Sequence, residues 1–196
     1  MEGFSGLRRN MVDCQLRTYD VTDRAVLAAA DEVPRELFVP EGLAYLAYLD
    51  QAIELPGTGR ALMTPMVIAR MIQVLDLEPG EDALEYGGGT GYGAALMDRM
   101  GVKATLWEPD DKARALAITA KATFDAILVS GACETEPKSL FSLLRSEGRL
   151  IVVEGTGRSA RVKLYQKSGN VVAGRTVFDA AAPELAEFRR PAEFVF

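Results

Sequence analysis

The stretch that decides the fold is LEYGGGTGYGAALM, residues 84–97, which holds five glycines within positions 87–93. Glu85 stands two positions before the first glycine. A backbone with so few side chains either makes a tight turn or lets a ligand approach closely. Apolar residues before the glycines and a helical pattern after them predict a strand, a loop and a helix. The loop is therefore a candidate ligand site, with a purely structural turn as the alternative.

Around this loop, short apolar strands alternate with helical segments. The predicted strands span 83–86, 103–110, 124–132 and 149–155, and the predicted helices span 65–77, 93–100, 111–120 and 137–148. Such alternation is typical of a parallel sheet covered by helices on both faces. Residues 161–179 change to a strand, turn and strand pattern, which predicts a C-terminal antiparallel hairpin. The predicted fold class is α/β, a Rossmann-like doubly wound sheet of the methyltransferase type.

The N-terminal part of the chain has a different pattern. Residues 23–33 predict a helix with Thr22 as its cap, and residues 34–59 predict an ordered, packed connection rich in proline, glycine and aromatics. A chain of 196 residues with 48% apolar residues is long enough for one domain with a substantial core. We expect a single domain, with residues 1–75 as a helical, substrate-side segment and residues 76–196 as the cofactor-binding sheet and hairpin.

The charge and hydropathy of the chain narrow the choice of partners. The net charge is −6, and lysine and arginine form no stripe that would neutralise phosphates, so nucleic acid is not an expected partner. No apolar run approaches the roughly 20 residues that cross a bilayer, and the N-terminus has no signal-like apolar core. We expect a cytoplasmic protein with no membrane partner.

The absence of histidine narrows the chemistry further. With no histidine in the sequence, nucleophile pairs that need an imidazole base and histidine-ligated metal sites are excluded. Cys14 and Cys133 lie far apart with no CxxC spacing, so neither a zinc site nor a disulfide framework is indicated. We expect no metal site.

The order of residues in the loop separates three classes of ligand. A phosphate-binding P-loop needs a lysine and a hydroxyl after its last glycine, and this loop lacks both. The dinucleotide fingerprint fits only in a relaxed form. The pattern acidic-x-Gly-x-Gly-x-Gly fits without adjustment at Glu85, Gly87, Gly89 and Gly91. S-adenosylmethionine carries an ammonium and a sulfonium, so an acidic group beside a bare backbone suits it electrostatically.

Glu108 is the second candidate for ligand binding. It closes the next predicted strand, 23 residues after Glu85, where a carboxylate can accept bonds from both ribose hydroxyls. Sites for NAD use the same arrangement, so Glu108 does not separate the two cofactors. A solvated charge at a strand end is the structural alternative.

Several segments together are similar to one family, protein-L-isoaspartate (D-aspartate) O-methyltransferase, in order and over most of the chain. The matching segments are MVDCQLRTYDVTDRAVLAAADEVPRELFVP (11–40), LMTPMVIARMIQVLDLEPGEDALEYGGGTGYGAAL (62–96), FDAILVSGA (124–132) and EGRLIVVEG (147–155). The PRELFVP segment and the proline-led helix before the glycine loop are more specific than the glycines. Methyltransferases in general do not share them.

The resemblance implies an enzyme that moves a methyl group from S-adenosylmethionine to the free carboxylate of an isoaspartyl residue in a damaged protein. Isoaspartyl peptides or proteins are then the expected partners. A carboxylate with a pKa of about 4 is already an anion at neutral pH and needs no general base. The expected cofactor-binding residues are Glu85, Gly87, Gly88, Gly89, Gly91, Glu108 and Ser130.

The sequence departs from the family pattern in two places. The family has a serine two residues before the proline that opens the helix at Pro65, and this chain has Met63 there, with Thr64 between. Thr64 is therefore the candidate catalytic residue, with helix N-capping as its alternative role. If the serine orients the substrate, changing Met63 to serine is expected to raise activity.

The second departure is a shortened segment after Glu108. Residues 111–123 are too few for the helix and strand that the family places there, the end of which contributes to the adenine pocket. Two alternatives stay open, the first because of both departures and the second because Glu108 does not separate the two cofactors. One is a catalytically weak or silent relative that acts as a cofactor-binding or regulatory protein, and the other is an NAD-dependent enzyme.

Overall fold

The computed structural model describes residues 3–108 and 123–190. The helix predicted at 111–120 and the shortened segment around it lie outside the described residues. Within the described part of the chain, no helix is both long enough and apolar enough to cross a bilayer.

The N-terminal helices pack on one face of the sheet, in the same core cluster as the helix that follows the glycine loop. Helix α1 spans Phe4–Met11 and continues into a π-helical turn, and helix α2 spans Arg24–Glu32. The cap of α2 is Asp23, whose side chain accepts a hydrogen bond of 2.9 Å from the Val26 N–H. The prediction of Thr22 as the cap is therefore wrong by one residue.

The segment between α2 and the sheet is ordered but contains more structure than the predicted connection. Two 3-10 turns, Arg35–Phe38 and Glu41–Leu46, lead into an antiparallel hairpin. Its strands are β1, Ile53–Leu55, and β2, Arg60–Leu62. Helix α3, Pro65–Leu75, follows directly. The short hairpin was not predicted because three-residue strands carry almost no periodic signal.

The main sheet has six strands in the order β4-β3-β5-β6-β7-β8. They are β3 (Asp82–Tyr86), β4 (Lys103–Trp107), β5 (Phe124–Cys133), β6 (Leu144–Glu154), β7 (Arg161–Ser168) and β8 (Val171–Asp179). The first four strands pair in parallel, and β7 and β8 form the antiparallel hairpin. The α/β fold with a C-terminal hairpin is confirmed. The strand order reverses beside β3, where such sheets bind ligands.

The helix predicted at 137–148 is wrong. A 3-10 turn spans Lys138–Leu143, and β6 starts at Leu144, which pairs with Phe124 before an irregular step in the register. Arg145 bridges Asp82 and Asp125 at the amino ends of β3 and β5. Burial of Leu143 and Leu144 and the Arg145 ion pairs favour the start of β6 at this point, whereas the composition of residues 137–148 favours a helix.

Strand β3 lies between β4 and β5 and directs its side chains alternately to two cores. Leu84 and Tyr86 belong to the core under the C-terminal segment, whereas Ala83 belongs to the core under the helices. Glu85 points the same way as Ala83, toward helix α4 (Tyr92–Arg99), which begins directly after the glycine loop. A charged side chain is thus placed between the sheet and a helix N-terminus.

Both oxygens of the Glu85 carboxylate accept hydrogen bonds inside the protein. One oxygen accepts from the Ala94 N–H at 2.7 Å, and the other accepts from the Ser130 hydroxyl at 2.7 Å and from the Gly93 N–H at 3.2 Å. The side chain is 1% exposed. Burial raises the pKa of Glu85, and the three donated bonds oppose that rise. The carboxylate anchors the first turn of α4 to β3 and β5, as an acceptor at a helix N-terminus does.

Replacing Glu85 with glutamine tests this anchoring. The amide can keep one acceptor oxygen, but its NH2 group must then face a backbone N–H that cannot accept a bond. We expect a loss of about 1–3 kcal/mol of unfolding free energy, because a buried donor is left unpaired. For a chain of this size, that corresponds to a fall in Tm of about 2–4 °C per kcal/mol. The measurement is thermal unfolding at pH 8.

The matched control is Glu78→Gln. Glu78 is exposed in the turn before β3, and its carboxylate makes no ion pair or hydrogen bond within the described residues. This variant is expected to unfold at the wild-type temperature. Equal Tm values for wild type and the Glu85 variant would show that the buried carboxylate does not hold α4 in place.

Candidate functional site

The candidate site lies at the carboxyl ends of β3, β4 and β5. The glycine loop leaves β3 and is fastened to β4 by a bond of 3.0 Å from the Gly87 N–H to the Trp107 carbonyl. Glu108 follows Trp107 directly, so the loop and this carboxylate share one edge of the sheet. The parallel register of β3 and β4 sets this arrangement.

The glycines of the loop divide into two groups, and the first group serves Glu85. A Cβ atom built on Gly88 would lie 2.3 Å from the Glu85 carboxylate, and one built on Gly93 would lie 2.5 Å from it. Neither distance leaves room for a side chain. These two positions are therefore bare because the buried carboxylate needs the space.

The second group gives the loop its turn. Gly87, Gly89 and Gly91 have φ values of 74°, 67° and 81°, in the left-handed region that other residues rarely adopt. A Cβ atom on Gly89 would lie 2.6 Å from a methyl of Leu55, and one on Gly87 would lie 3.1 Å from a methyl of Leu185. The loop is thus covered closely by side chains from the β1–β2 hairpin and the C-terminal segment.

Glu108 faces the loop. One of its oxygens accepts a bond of 2.6 Å from the Gly89 N–H, and the other accepts a bond of 2.9 Å from Nε of Arg60. Its side chain is 24% exposed. Glu108 and the glycine loop therefore meet at one end of the paired strands β3 and β4.

Arg60 links Glu108 to the C-terminal segment. Its two terminal nitrogens donate to the two oxygens of Glu187 at 2.9 and 3.0 Å, in the paired geometry that guanidinium and carboxylate groups favour. Burial tends to lower the pKa of Arg60, but the hydrogen bonds that Arg60 donates to Glu187 and Glu108 raise it overall. Burial tends to raise the pKa of Glu187, and its bonds with Arg60 lower it overall. Arg60 and Glu187 are therefore both charged at neutral pH.

The segment that carries Glu187 is built into the same edge. The Ala132 N–H donates to the Pro183 carbonyl, and the Leu185 N–H donates to the Ala132 carbonyl, at 2.7 and 2.9 Å. Leu185 packs over Gly87 and Gly131. This segment and the β1–β2 hairpin border a cavity of about 650 Å³ that Arg60 and Leu185 both line.

Among the predicted cofactor-binding residues, Glu85 faces α4, whereas Ser130 lines the cavity and also bonds to Glu85. Side chains of a strand stand perpendicular to the sheet, so Glu85 points at α4. Glu108 lies beyond the end of β4 and contacts the Gly89 N–H instead. Ser130 donates its hydroxyl to Glu85 and is 4% exposed. Gly88 is also occupied by its contact with Glu85. Glu85, Gly88 and Ser130 thus make contacts inside the protein that support the loop, and Ser130 lines the cavity as well.

Thr64 has an unusual environment for a helix cap. It stands at the N-cap position of α3, with Pro65 next to it, but its side chain makes no capping hydrogen bond. Its Oγ1 is buried and has no hydrogen-bond partner among the described residues. The capping role considered for Thr64 is therefore wrong, and its hydroxyl remains available.

Met63 lies in the core. It is 1% exposed and belongs to the cluster beneath the helices. Its carbonyl accepts a bond from Nη2 of the fully buried Arg35, whose guanidinium also lies 4.7 Å from the ring centre of Tyr92. Burial lowers the pKa of Arg35. Arg35 thus fixes the backbone before Thr64 against the first residue of α4.

The sequence did not identify Arg35, Arg60, Leu185 or Glu187 as parts of this region. Arg35 lies in the PRELFVP segment, whose specificity was a usable signal. Arg60 and Glu187 are 127 residues apart, and neither belongs to a motif or a periodic pattern. Their pairing is a tertiary contact with no local signal.

The residues at this edge suit S-adenosylmethionine chemically. Glu108 offers a carboxylate beside a backbone that has no side chains, which fits ribose hydroxyls and a cationic ligand. Gly87, Gly89 and Gly91 supply the close backbone. Outside the cavity lining, at the start of α3, the buried Thr64 hydroxyl is a donor that no described residue uses.

Comparison with known proteins agrees with this chemistry. The family model for protein-L-isoaspartate (D-aspartate) O-methyltransferase matches residues 7–106. The protein-L-isoaspartate O-methyltransferase of Methylorubrum extorquens is 40% identical over 76% of this chain and 74% of its own length. That of Roseiflexus sp. is 36% identical over 82% of this chain and 83% of its own length.

Solved structures show the shared fold. A beta-aspartate methyltransferase from Plasmodium falciparum, in complex with S-adenosyl-L-homocysteine, superposes with a TM-score of 0.68 at 21% identity, over 95% of this chain and all of that one. A second protein-L-isoaspartate O-methyltransferase superposes with a TM-score of 0.69 over 91% of this chain and 66% of that one. With the sequence matches, these findings establish that the chain belongs to the protein-L-isoaspartate (D-aspartate) O-methyltransferase family.

Proposed function

We propose that this chain methylates the free carboxylate of isoaspartyl residues, with Glu108 and the glycine loop as its cofactor site and Thr64 as its substrate-facing hydroxyl. The observation that carries the proposal is the Glu108 carboxylate, held against the Gly89 N–H at the end of β4. In this arrangement, Gly87, Gly89 and Gly91 provide the bare backbone. Glu85 and Gly88 support the loop from inside, and Ser130 joins Glu85 to the wall of the cavity.

The reaction asks little of the protein in acid-base terms. S-adenosylmethionine supplies the methyl group at its sulfonium, and the substrate carboxylate, with a pKa of about 4, is already an anion at neutral pH. The residues of this chain therefore need to bind, orient and exclude water, and none has to remove a proton. This requirement agrees with a sequence that has no histidine.

Thr64 is the residue proposed to orient the substrate. Its hydroxyl is a donor, is buried and has no partner within the described residues. A carboxylate anion is the natural acceptor for such a donor, and the charged acceptor strengthens the bond. Arg35 holds the backbone at Met63 and so restricts where the Thr64 hydroxyl points. Thr64 would replace the serine that the family places one residue earlier.

The direct test is transfer of labelled methyl groups from S-adenosylmethionine to a peptide that contains one isoaspartyl residue. The control is the same peptide with a normal aspartyl residue. We expect transfer to the first and not to the second. Binding of S-adenosylhomocysteine without transfer to either peptide would instead support the silent relative, for which Met63 in place of the serine is the motivating observation.

Thr64→Val tests the proposed role of the hydroxyl. Valine keeps the size and branching of threonine, and the hydroxyl makes no bond within the described residues. The free energy of unfolding should therefore change by less than about 0.5 kcal/mol. Loss of a bond to a charged group costs about 1.5–3 kcal/mol, so kcat should fall about tenfold to a hundredfold. The measurements are urea unfolding and the methyl-transfer assay.

The matched control is Thr105→Val, in strand β4 and also without a side-chain partner among the described residues. It is expected to leave both stability and kcat unchanged. If Thr64→Val destabilised the protein and kept its full kcat, the hydroxyl would be a structural cap after all.

Met63→Ser tests whether the missing serine explains any shortfall in activity. The expectation from sequence was a gain, but the side chain lies in the core, where serine leaves a cavity and buries a hydroxyl. We expect a loss of about 2–5 kcal/mol of unfolding free energy and no gain in methyl transfer per folded molecule. The half-buried Met100, at the end of α4, gives the control Met100→Ser. A gain in transfer at unchanged stability would show that position 63 faces the substrate.

A further inference from the structure

We infer that Arg60 is an internal competitor of the cofactor's ribose for Glu108, and that Glu187 holds the arginine when the ribose displaces it. This inference rests on the proposed cofactor site. Arg60 stands in the β1–β2 hairpin, Glu108 follows β4, and Glu187 lies on the C-terminal segment. Three separate parts of the chain thus meet at one guanidinium group.

Arg60 covers the surface that the cofactor is proposed to contact. Its Nε donates to one oxygen of Glu108, whose other oxygen accepts from the Gly89 N–H. A ribose diol donates through two hydroxyls, and Arg60 already occupies one approach to the oxygen of Glu108 that it contacts. The stem of Arg60 also lies over Gly89, since a Cβ atom there would be 3.1 Å from the Arg60 Cβ. Both the carboxylate and the bare backbone are therefore behind the same side chain.

The arginine has a second partner that the ribose does not need. Glu187 takes both terminal nitrogens, whereas Glu108 takes only Nε. The side chain of Arg60 is 6% exposed, and a guanidinium this deeply buried must stay paired. If Nε leaves Glu108, the two bonds to Glu187 keep the charge compensated. The exchange of Arg60 for ribose at Glu108 is therefore possible without stranding a cation.

The test measures nucleoside binding by calorimetry. Adenosine carries the ribose diol and no charge, and 2′,3′-dideoxyadenosine lacks both hydroxyls. For Arg60→Gln, adenosine and S-adenosylhomocysteine should bind about tenfold more tightly than to wild type, because no charged group competes for Glu108. The dideoxy compound should bind both proteins equally, since it makes no bond to Glu108. This comparison separates competition for the carboxylate from a general change in charge.

Two further variants keep the test informative. Arg60→Lys retains the charge but loses the planar fork that bridges two carboxylates, so it should shift adenosine affinity in the same direction by a smaller factor. This variant serves if Arg60→Gln is unfolded by circular dichroism. Arg145→Gln is the control, because Arg145 also bridges two carboxylates, those of Asp82 and Asp125, but at the amino ends of β3 and β5. It should leave adenosine affinity unchanged.

Each outcome decides one point. Equal or weaker adenosine binding by the folded Arg60 variants, with clear binding by wild type, would overturn the competition. A tenfold gain for the dideoxy compound as well would also overturn it. If neither wild type nor the Arg60 variants bind S-adenosylhomocysteine, the proposed cofactor site itself fails, and the inference fails with it.

Discussion

The buried carboxylate of Glu85 is the interaction on which the site depends. A charge buried between a sheet and a helix is tolerated only when donors surround it, and here they come from the first turn of α4 and from β5. Gly88 and Gly93 must then be bare, because a Cβ atom at either position would collide with the carboxylate. The path of the loop follows from satisfying this one group.

This constraint changes what the glycine-rich motif means. Part of the motif serves the interior of the protein, and the left-handed residues Gly87, Gly89 and Gly91 make the turn that brings the Gly89 N–H to Glu108. The acidic residue before the glycines shapes the loop from inside, and the acidic residue after the next strand faces the loop from outside. Two carboxylates 23 residues apart therefore have different tasks because of the direction in which each strand points them.

The sequence predicted the α/β fold, its parallel strands and the C-terminal hairpin, because periodicity and the glycine pattern are local signals. It did not predict which way Glu85 points, since its position two residues before a glycine suggested the strand end and not the face of the sheet. It also did not predict that a 3-10 turn at Lys138–Leu143 leads into β6, where burial of Leu144 and the Arg145 bridge favour a strand over a helix. The pairing of Arg60 with Glu187 joins residues 127 apart and has no local signal.

The two acidic sites also differ in how easily their partners exchange. Glu85 accepts two bonds from backbone groups that cannot move without unwinding α4, so its environment is fixed. Glu108 is partly exposed, and one of its two partners is the flexible side chain of Arg60. A partner of that kind can be replaced by a ligand while Glu187 retains the positive charge. The rigid carboxylate thus builds the loop, and the exchangeable one is suited to bind what the loop approaches.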